Sequence, residues 1–159
     1  MNLKTGDLVF INSGSMFSKI VKWVTGFEYG HVALAIDSNR LMDIKAFKPS
    51  TIEELSDLTI KNYTVQRCTE KFDENKMKMI AYSCVGIKYD YPSILRLLMK
   101  YRLGMKTRRT SYDIKTLYCS EFVDYVYSQL GIDLLLGESS LISIEDLYYS
   151  EKMEVIENG

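Results

Sequence analysis

The chain has 159 residues, 47% hydrophobic and 26% charged, with a formal net charge of −1 and three cysteines. That length fits one domain, residues 1–159, able to bury about two thirds of its unfolded surface without metal or disulfide support. The balanced charge names no partner and gives no reason to expect nucleic acid. The odd cysteine count argues against a disulfide framework, and no apolar run approaches the ~20 residues that span a bilayer.

The first segment, "MNLKTGDLVFINSG", lacks the basic, long apolar and small-residue regions of a signal peptide. A cytoplasmic protein is expected, with delivery by phage or host machinery left open. "GDLVFIN" (6–12) reads as a buried strand after a glycine turn. "SMFSKIVKWVTG" (15–26) reads as a short helix capped by Ser15, stopped by Gly26 and sharing a face of Ile20, Val21 and Val24. "HVALAID" and "RLMDIKAF" are strand-length runs split by Ser38 and Asn39, the pattern of a hairpin. "STIEELSDL" (50–58) carries a capping-box pattern and predicts a helical start, followed by a strand around "YTVQRC".

"DENKMKMIAYSCVG" (73–86) spaces Met77, Ile80, Ala81 and Cys84 at helical intervals and ends at Gly86. Tyr89 to Pro92 form a turn into the helix "PSILRLLMKYRLG". "MKTRRTSYDIKT" (105–116) lacks periodicity and reads as a loop leading to the amphipathic helix "TLYCSEFVDYVYSQLG". A short helix, "SIEDLYYS", and a last strand, "MEVIE", complete the chain.

Cys119 falls in the first turn of its predicted helix, where unpaired N–H groups and the macrodipole favour a thiolate. Phe122, Val123 and Val126 follow at i+3, i+4 and i+7, which turns Cys119 toward the face that packs on the protein. A small buried hydrophobe would also fit there. Cys84 sits mid-helix at core spacing and Cys68 ends a strand, neither with a helix terminus to activate it. His31, the only histidine, opens the first strand of the hairpin. In a hairpin turning at Ser38 and Asn39, opposed residue numbers sum to about 76 or 77. His31 then pairs near residue 45 or 46, and Asp43 lies about two positions away, where it can orient the imidazole. Asp43 is equally readable as a surface carboxylate on an edge strand.

The ordered set "GDLVF", "YGHVALAID", "YDY" and "LYCSEFVDYVY" resembles the NlpC/P60 superfamily of papain-like cysteine hydrolases. The histidine precedes the cysteine, as in its circularly permuted branch, the YiiX/YebB-like proteins, related to the lecithin retinol acyltransferase-like enzymes. The resemblance runs from Gly6 to about Val126. It implies an α+β, permuted papain-like fold, an antiparallel sheet packed against helices that include the cysteine helix. It further implies Cys119 as nucleophile, His31 as base and Asp43 as the third polar residue, a place usually held by histidine, glutamate or glutamine. The Cys119 N–H would donate to the oxyanion, and Tyr29 and Ser120 lie where a second donor or a substrate contact is expected.

The expected activity is that of a thiol hydrolase cleaving an amide or ester bond through a thioester on Cys119. The substrate would be a small peptide, a wall fragment or a lipid conjugate. A lipid acyltransferase or phospholipase with the same triad, or a binding module that has lost activity, are the alternatives. No cofactor is expected, and the cysteines and histidine lack metal-ligand spacing. Lys100, Arg102, Lys106, Arg108 and Arg109 form a basic cluster before the cysteine helix. Arg108 and Arg109 are candidates for contact with an anionic substrate or surface, although a solvated loop explains the run as well.

Overall fold

A computed structural model describes residues 1–58, 60, 62–103, 112–135 and 141–159. A six-stranded antiparallel sheet runs in the order β4-β3-β2-β1-β5-β8. Its strands are β1 (Leu8–Ile11), β2 (His31–Ala35), β3 (Arg40–Asp43), β4 (Thr51–Glu54), β5 (Tyr63–Cys68) and β8 (Met153–Asn158). The helices are α1 (Met16–Thr25), α2 (Glu74–Ser83), α3 (Tyr91–Leu103), α4 (Cys119–Gln129) and α5 (Ile144–Tyr148). Two short strands, β6 (Lys88–Tyr89) and β7 (Thr116–Leu117), pair in parallel between them. The α+β architecture expected from the sequence, an antiparallel sheet packed against helices that include the cysteine helix, is the one observed.

The alternation of side chains along β1 explains its unbroken apolar run. Leu8 and Phe10 face a core shared with Val32, Leu34 and Met42 and with Phe122, Val123 and Val126 of α4. Val9 and Ile11 face the other side, where Leu3, Ala33, Ala35, Leu41 and Val65 form a second cluster. Central strands covered on both faces need apolar residues at consecutive positions. Tyr127 ties α4 to the start of β1 by donating from its hydroxyl to the Gly6 carbonyl at 2.6 Å. Gly6 has φ 91 and sits so close to Phe72 that an added Cβ would approach its ring to 2.5 Å.

Local signals set several boundaries. Ser15 accepts from the Ser18 N–H at the start of α1, and Gly26 closes the helix in the left-handed region. Asp73 caps α2, and Ser143 with Asp146 forms a capping box on α5.

Four expectations need correction. Residues 51–54 are not helical: Thr51–Glu54 completes the free edge of β3, followed only by a 3-10 turn at Leu55–Asp57. Ser50 does not cap a helix, because its hydroxyl donates to the Cys84 carbonyl and accepts from the Ile87 N–H. Cys84 lies at the C-cap of α2 rather than mid-helix, and residues 116 and 117, read as the end of a loop and the approach to the helix, form β7. On α1 the buried positions are Ser18 and Val21, whereas Ile20 is exposed.

Candidate active site

The hairpin register is the one that the sequence predicts. Leu34 pairs with Met42 and Ala35 with Leu41, so that opposed numbers sum to 76. His31 and Asp43 therefore lie diagonally across β2 and β3 near the end of the ladder. His31 Nε2 and Asp43 Oδ1 are 2.6 Å apart, and Asp43 is only 2% exposed. Nε2 faces the carboxylate, and Cys119 lies close enough to the ring to favour its charged form.

Burial disfavours a charged imidazole, but the Asp43 charge and hydrogen bond, joined by the contact with Cys119, outweigh it and hold His31 at about 10. Asp43 shows the converse. Burial pushes its carboxyl up, and His31 and then Lys45 more than reverse this, leaving it below the ordinary value. Lys45 Nζ lies 2.9 Å from Asp43 Oδ2, close enough for ionic pairing though not aligned as a hydrogen bond. It also donates to Glu53 on β4 at 2.5 Å. Lys45 adds to the site residues that the sequence nominates. Its signal was the spacing of two from Asp43, which puts both on one side of the extended chain.

Cys119 is the first residue of α4 and 4% exposed. Tyr118, at the N-cap, makes no side-chain hydrogen bond to this terminus. The caps of α1, α2 and α5 do make one. The first N–H groups of α4 thus point toward the thiol's surroundings without a side-chain acceptor from the N-cap. Ser120 donates from its hydroxyl to the Ile142 carbonyl at 2.9 Å, and Tyr118 accepts from the Ile142 N–H at 3.0 Å. Both side chains fasten the segment before α5. The Tyr29 hydroxyl pairs with that of Thr64 at 2.7 Å, and its ring stacks on Tyr148. Arg108 and Arg109 lie outside the described residues.

A cavity of about 470 Å³ opens beside the imidazole, lined by His31, Asp43 and Lys45 and by the apolar Ile11, Met16, Phe17, Ala46, Phe47, Leu58 and Ile60. Cys119 borders a smaller void, and Gly30 and Tyr89 border both spaces. Tyr89 packs edge-on against Phe17. A thiol, an imidazole and a buried carboxylate in series, at a helix terminus, can carry out nucleophilic acyl chemistry.

Residues 2–141 match the family described as permuted papain-like amidase enzyme, YaeF/YiiX, C92 family. The chain belongs to this family. Its backbone is similar to the crystal structure of the metalloprotein YiiX from Escherichia coli O157:H7, a DUF1105 protein. The two share 18% identity with a TM-score of 0.74, over 100% of this chain and 99% of that one. No curated protein matches the sequence.

The site of this YaeF/YiiX-family chain does not suit a metal ion. Among the described residues no group of three or more histidine, cysteine, aspartate or glutamate side chains is arranged to hold a metal ion. The Asp43 carboxylate already faces the imidazole on one oxygen and an ammonium on the other, and that ammonium would repel a second cation. Among the described residues no helix is long and apolar enough to cross a membrane.

Proposed function

We propose that this protein is a cysteine hydrolase that cleaves an amide or ester bond through a thioester on Cys119. The observation that carries the reading is the position of His31, hydrogen-bonded to Asp43 and with Cys119, at the start of α4, close enough to favour its charged form. His31 holds its proton beside Cys119, so that the attacking Sγ is the anionic half of a thiolate–imidazolium pair. The negative charge that develops on the carbonyl oxygen meets the N–H groups at the start of α4. The C–N or C–O bond then breaks as the imidazolium returns its proton to the leaving amine or alcohol. Water, deprotonated by His31, attacks the thioester and releases the acid and the free thiol. Asp43 orients the ring and stabilises its charged form throughout.

The apolar lining of the adjoining cavity supports a substrate with an aliphatic or aromatic group, and so favours a lipid conjugate over a polar wall fragment. It also supports, as the second reading, acyl transfer or phospholipid cleavage by the same three residues. The order of histidine before cysteine supports kinship with the permuted NlpC/P60 branch and the lecithin retinol acyltransferase-like enzymes.

A parallel screen of peptide, acyl-ester, acyl-amide and phospholipid substrates against wild type and Cys119→Ala tests the function. Turnover is expected in wild type only, with an acyl adduct on the Cys119 peptide in mass spectra. Dependence of the rate on an added amine or alcohol acceptor would select transferase over hydrolase. Substrate binding without an adduct or turnover would make the protein a binding module.

A further inference from the structure

Helix α1 carries an apolar stripe on its solvent side, in addition to Phe17 and Val21 on its core side. Met16, Ile20 and Trp23, at i, i+4 and i+7, share one face and are 80%, 45% and 71% exposed, while Ser18 and Val21 are buried. Helix α3 packs beside it and exposes Leu95 and Leu103. Arg102 of α3 lies 4.1 Å over the Trp23 ring, which joins the two stripes into one surface. The surface continues to the cavity mouth, because Met16 and Phe47, itself 82% exposed, also line that cavity.

The charges on the two helices are one-sided, although Glu145 borders the void between them. The chain as a whole carries 20 cations and 21 anions. Yet α1 holds Lys19 and Lys22, α3 holds Arg96, Lys100 and Arg102, and neither helix contains a carboxylate. Exposed aliphatic side chains with a tryptophan and flanking lysines and arginines match the layered chemistry of a lipid interface, hydrocarbon beneath anionic headgroups. A second copy of the chain would bring like charges together, and a nucleic acid would leave the apolar stripe uncovered. We propose that the α1–α3 face docks on an anionic lipid surface, with the cavity mouth at its margin. Docking does not depend on the Cys119 chemistry, so the two proposals stand or fall separately.

Trp23 is the only tryptophan, so its emission reports this face alone. The test mixes the full chain with phosphatidylglycerol–phosphatidylcholine vesicles, or with phosphatidylcholine vesicles, and follows Trp23 emission and co-sedimentation. A blue shift and co-sedimentation are expected with the anionic vesicles, weakening as salt rises. The Ile20→Asp/Leu95→Asp variant, which keeps Trp23, should bind at least about tenfold more weakly. Lys19→Glu/Arg96→Glu should lose the preference for anionic vesicles, and Cys119→Ala should bind as wild type does. Circular dichroism establishes that each variant is folded. No partition of wild type, equal binding to neutral vesicles, or undiminished binding by the folded Asp variant would each overturn the proposal. Self-association that buries Trp23 without lipid would overturn it in favour of a second copy.

Discussion

His31 and Asp43 meet at 2.6 Å although they belong to different strands and are not directly opposed in the ladder. Three groups therefore act on one ring: Asp43 and Cys119 favour the imidazolium, and Lys45 compensates the same carboxylate from its other oxygen. The single histidine makes this directly measurable by nuclear magnetic resonance. In wild type the ring should titrate near 10 rather than 6.5. Asp43→Asn removes the main counter-charge and leaves burial, so the pKa should fall to or below the ordinary value. Lys45→Met removes a competing cation and should move it the other way. Cys119→Ala should lower it less than Asp43→Asn, since the Asp43 contributions are the larger. An unchanged titration in Asp43→Asn would dissociate the pair.

The turnover of the same variants separates orientation from chemistry. Cys119→Ala and His31→Ala each remove a group that forms or breaks a bond, and activity should drop to background. Asp43→Asn keeps a hydrogen-bonding partner of similar shape but withdraws the charge, so a smaller loss, mainly in kcat, is expected. Equal rates in Asp43→Asn and wild type would remove Asp43 from the mechanism.

The raised His31 pKa also fixes the sign of a stability effect. Below about 6.5 the imidazole is protonated folded and unfolded, and its stabilisation is fully present. As the pH rises from there toward 10, the unfolded ring releases its proton before the folded ring does, and stability falls. The slope can reach at most about 1.4 kcal/mol per pH unit for one group. Asp43 acts at the acid end, where its stabilisation is lost as the pH drops below its ordinary 3.8. Urea unfolding at pH 6.5, 8 and 9.5 should show the alkaline decline in wild type and a shallower one in His31→Gln.

Much of this site is readable before any fold is known. A hairpin has one degree of freedom, its register, and the turn at Ser38 and Asn39 sets it, so the approach of Asp43 to His31 follows from counting. The cysteine helix is equally legible, because Phe122, Val123 and Val126 fix its buried side. Residues 50–58 are not. Their capping pattern is genuine local chemistry, but the open edge of β3 offers four paired positions from Arg40 to Asp43, and Ser50 finds tertiary partners. The face of α1 misleads for a related reason. Of the face that the spacing of Ile20, Val21 and Val24 marks, Val21 is buried while Ile20 joins Met16 and Trp23 on a second, outer stripe. The spacing of two places Lys45 on the side of Asp43, but its ion pair with Glu53 emerges only once β4 lies alongside.

Gly30 sets the distance between α1 and the histidine strand. A Cβ there would meet Ser18 Oγ at 2.0 Å and the Ser18 carbonyl oxygen at 2.7 Å, so Gly30→Ala must push α1 or β2 aside. A loss of about 1–3 kcal/mol is expected from such overpacking, together with reduced turnover because His31 follows directly. Ser18→Ala alone should cost little, since its buried hydroxyl has no partner among the described residues. Combined with Gly30→Ala it removes the closer clash and should restore part of the stability. The carbonyl contact remains, so recovery is incomplete. Thermal unfolding of the three variants reads this out, and a neutral Gly30→Ala would show that the packing is loose.

The three thiols provide the last test, since all are free and buried and His31 is placed to act on Cys119. Burial pushes the Cys68 and Cys84 thiols above their ordinary value of 9.0, which keeps them protonated and slow toward iodoacetamide at pH 6. His31 retains its proton at that pH and can stabilise an anionic sulfur, so Cys119 should be carboxamidomethylated well before the other two. His31→Ala should slow labelling of Cys119 alone. The reagent must pass Gly30 and Tyr89, which border both the cavity and the thiol's void. Tyr89→Ala should therefore accelerate labelling if access limits it and leave the rate unchanged if nucleophilicity does. Peptide mapping reports each site, and labelling after mild denaturation gives the total of free thiols. A Cys119 that opens to the reagent in Tyr89→Ala yet reacts no faster than Cys68 or Cys84, or ignores the loss of His31, would not be paired with the imidazole as a nucleophile.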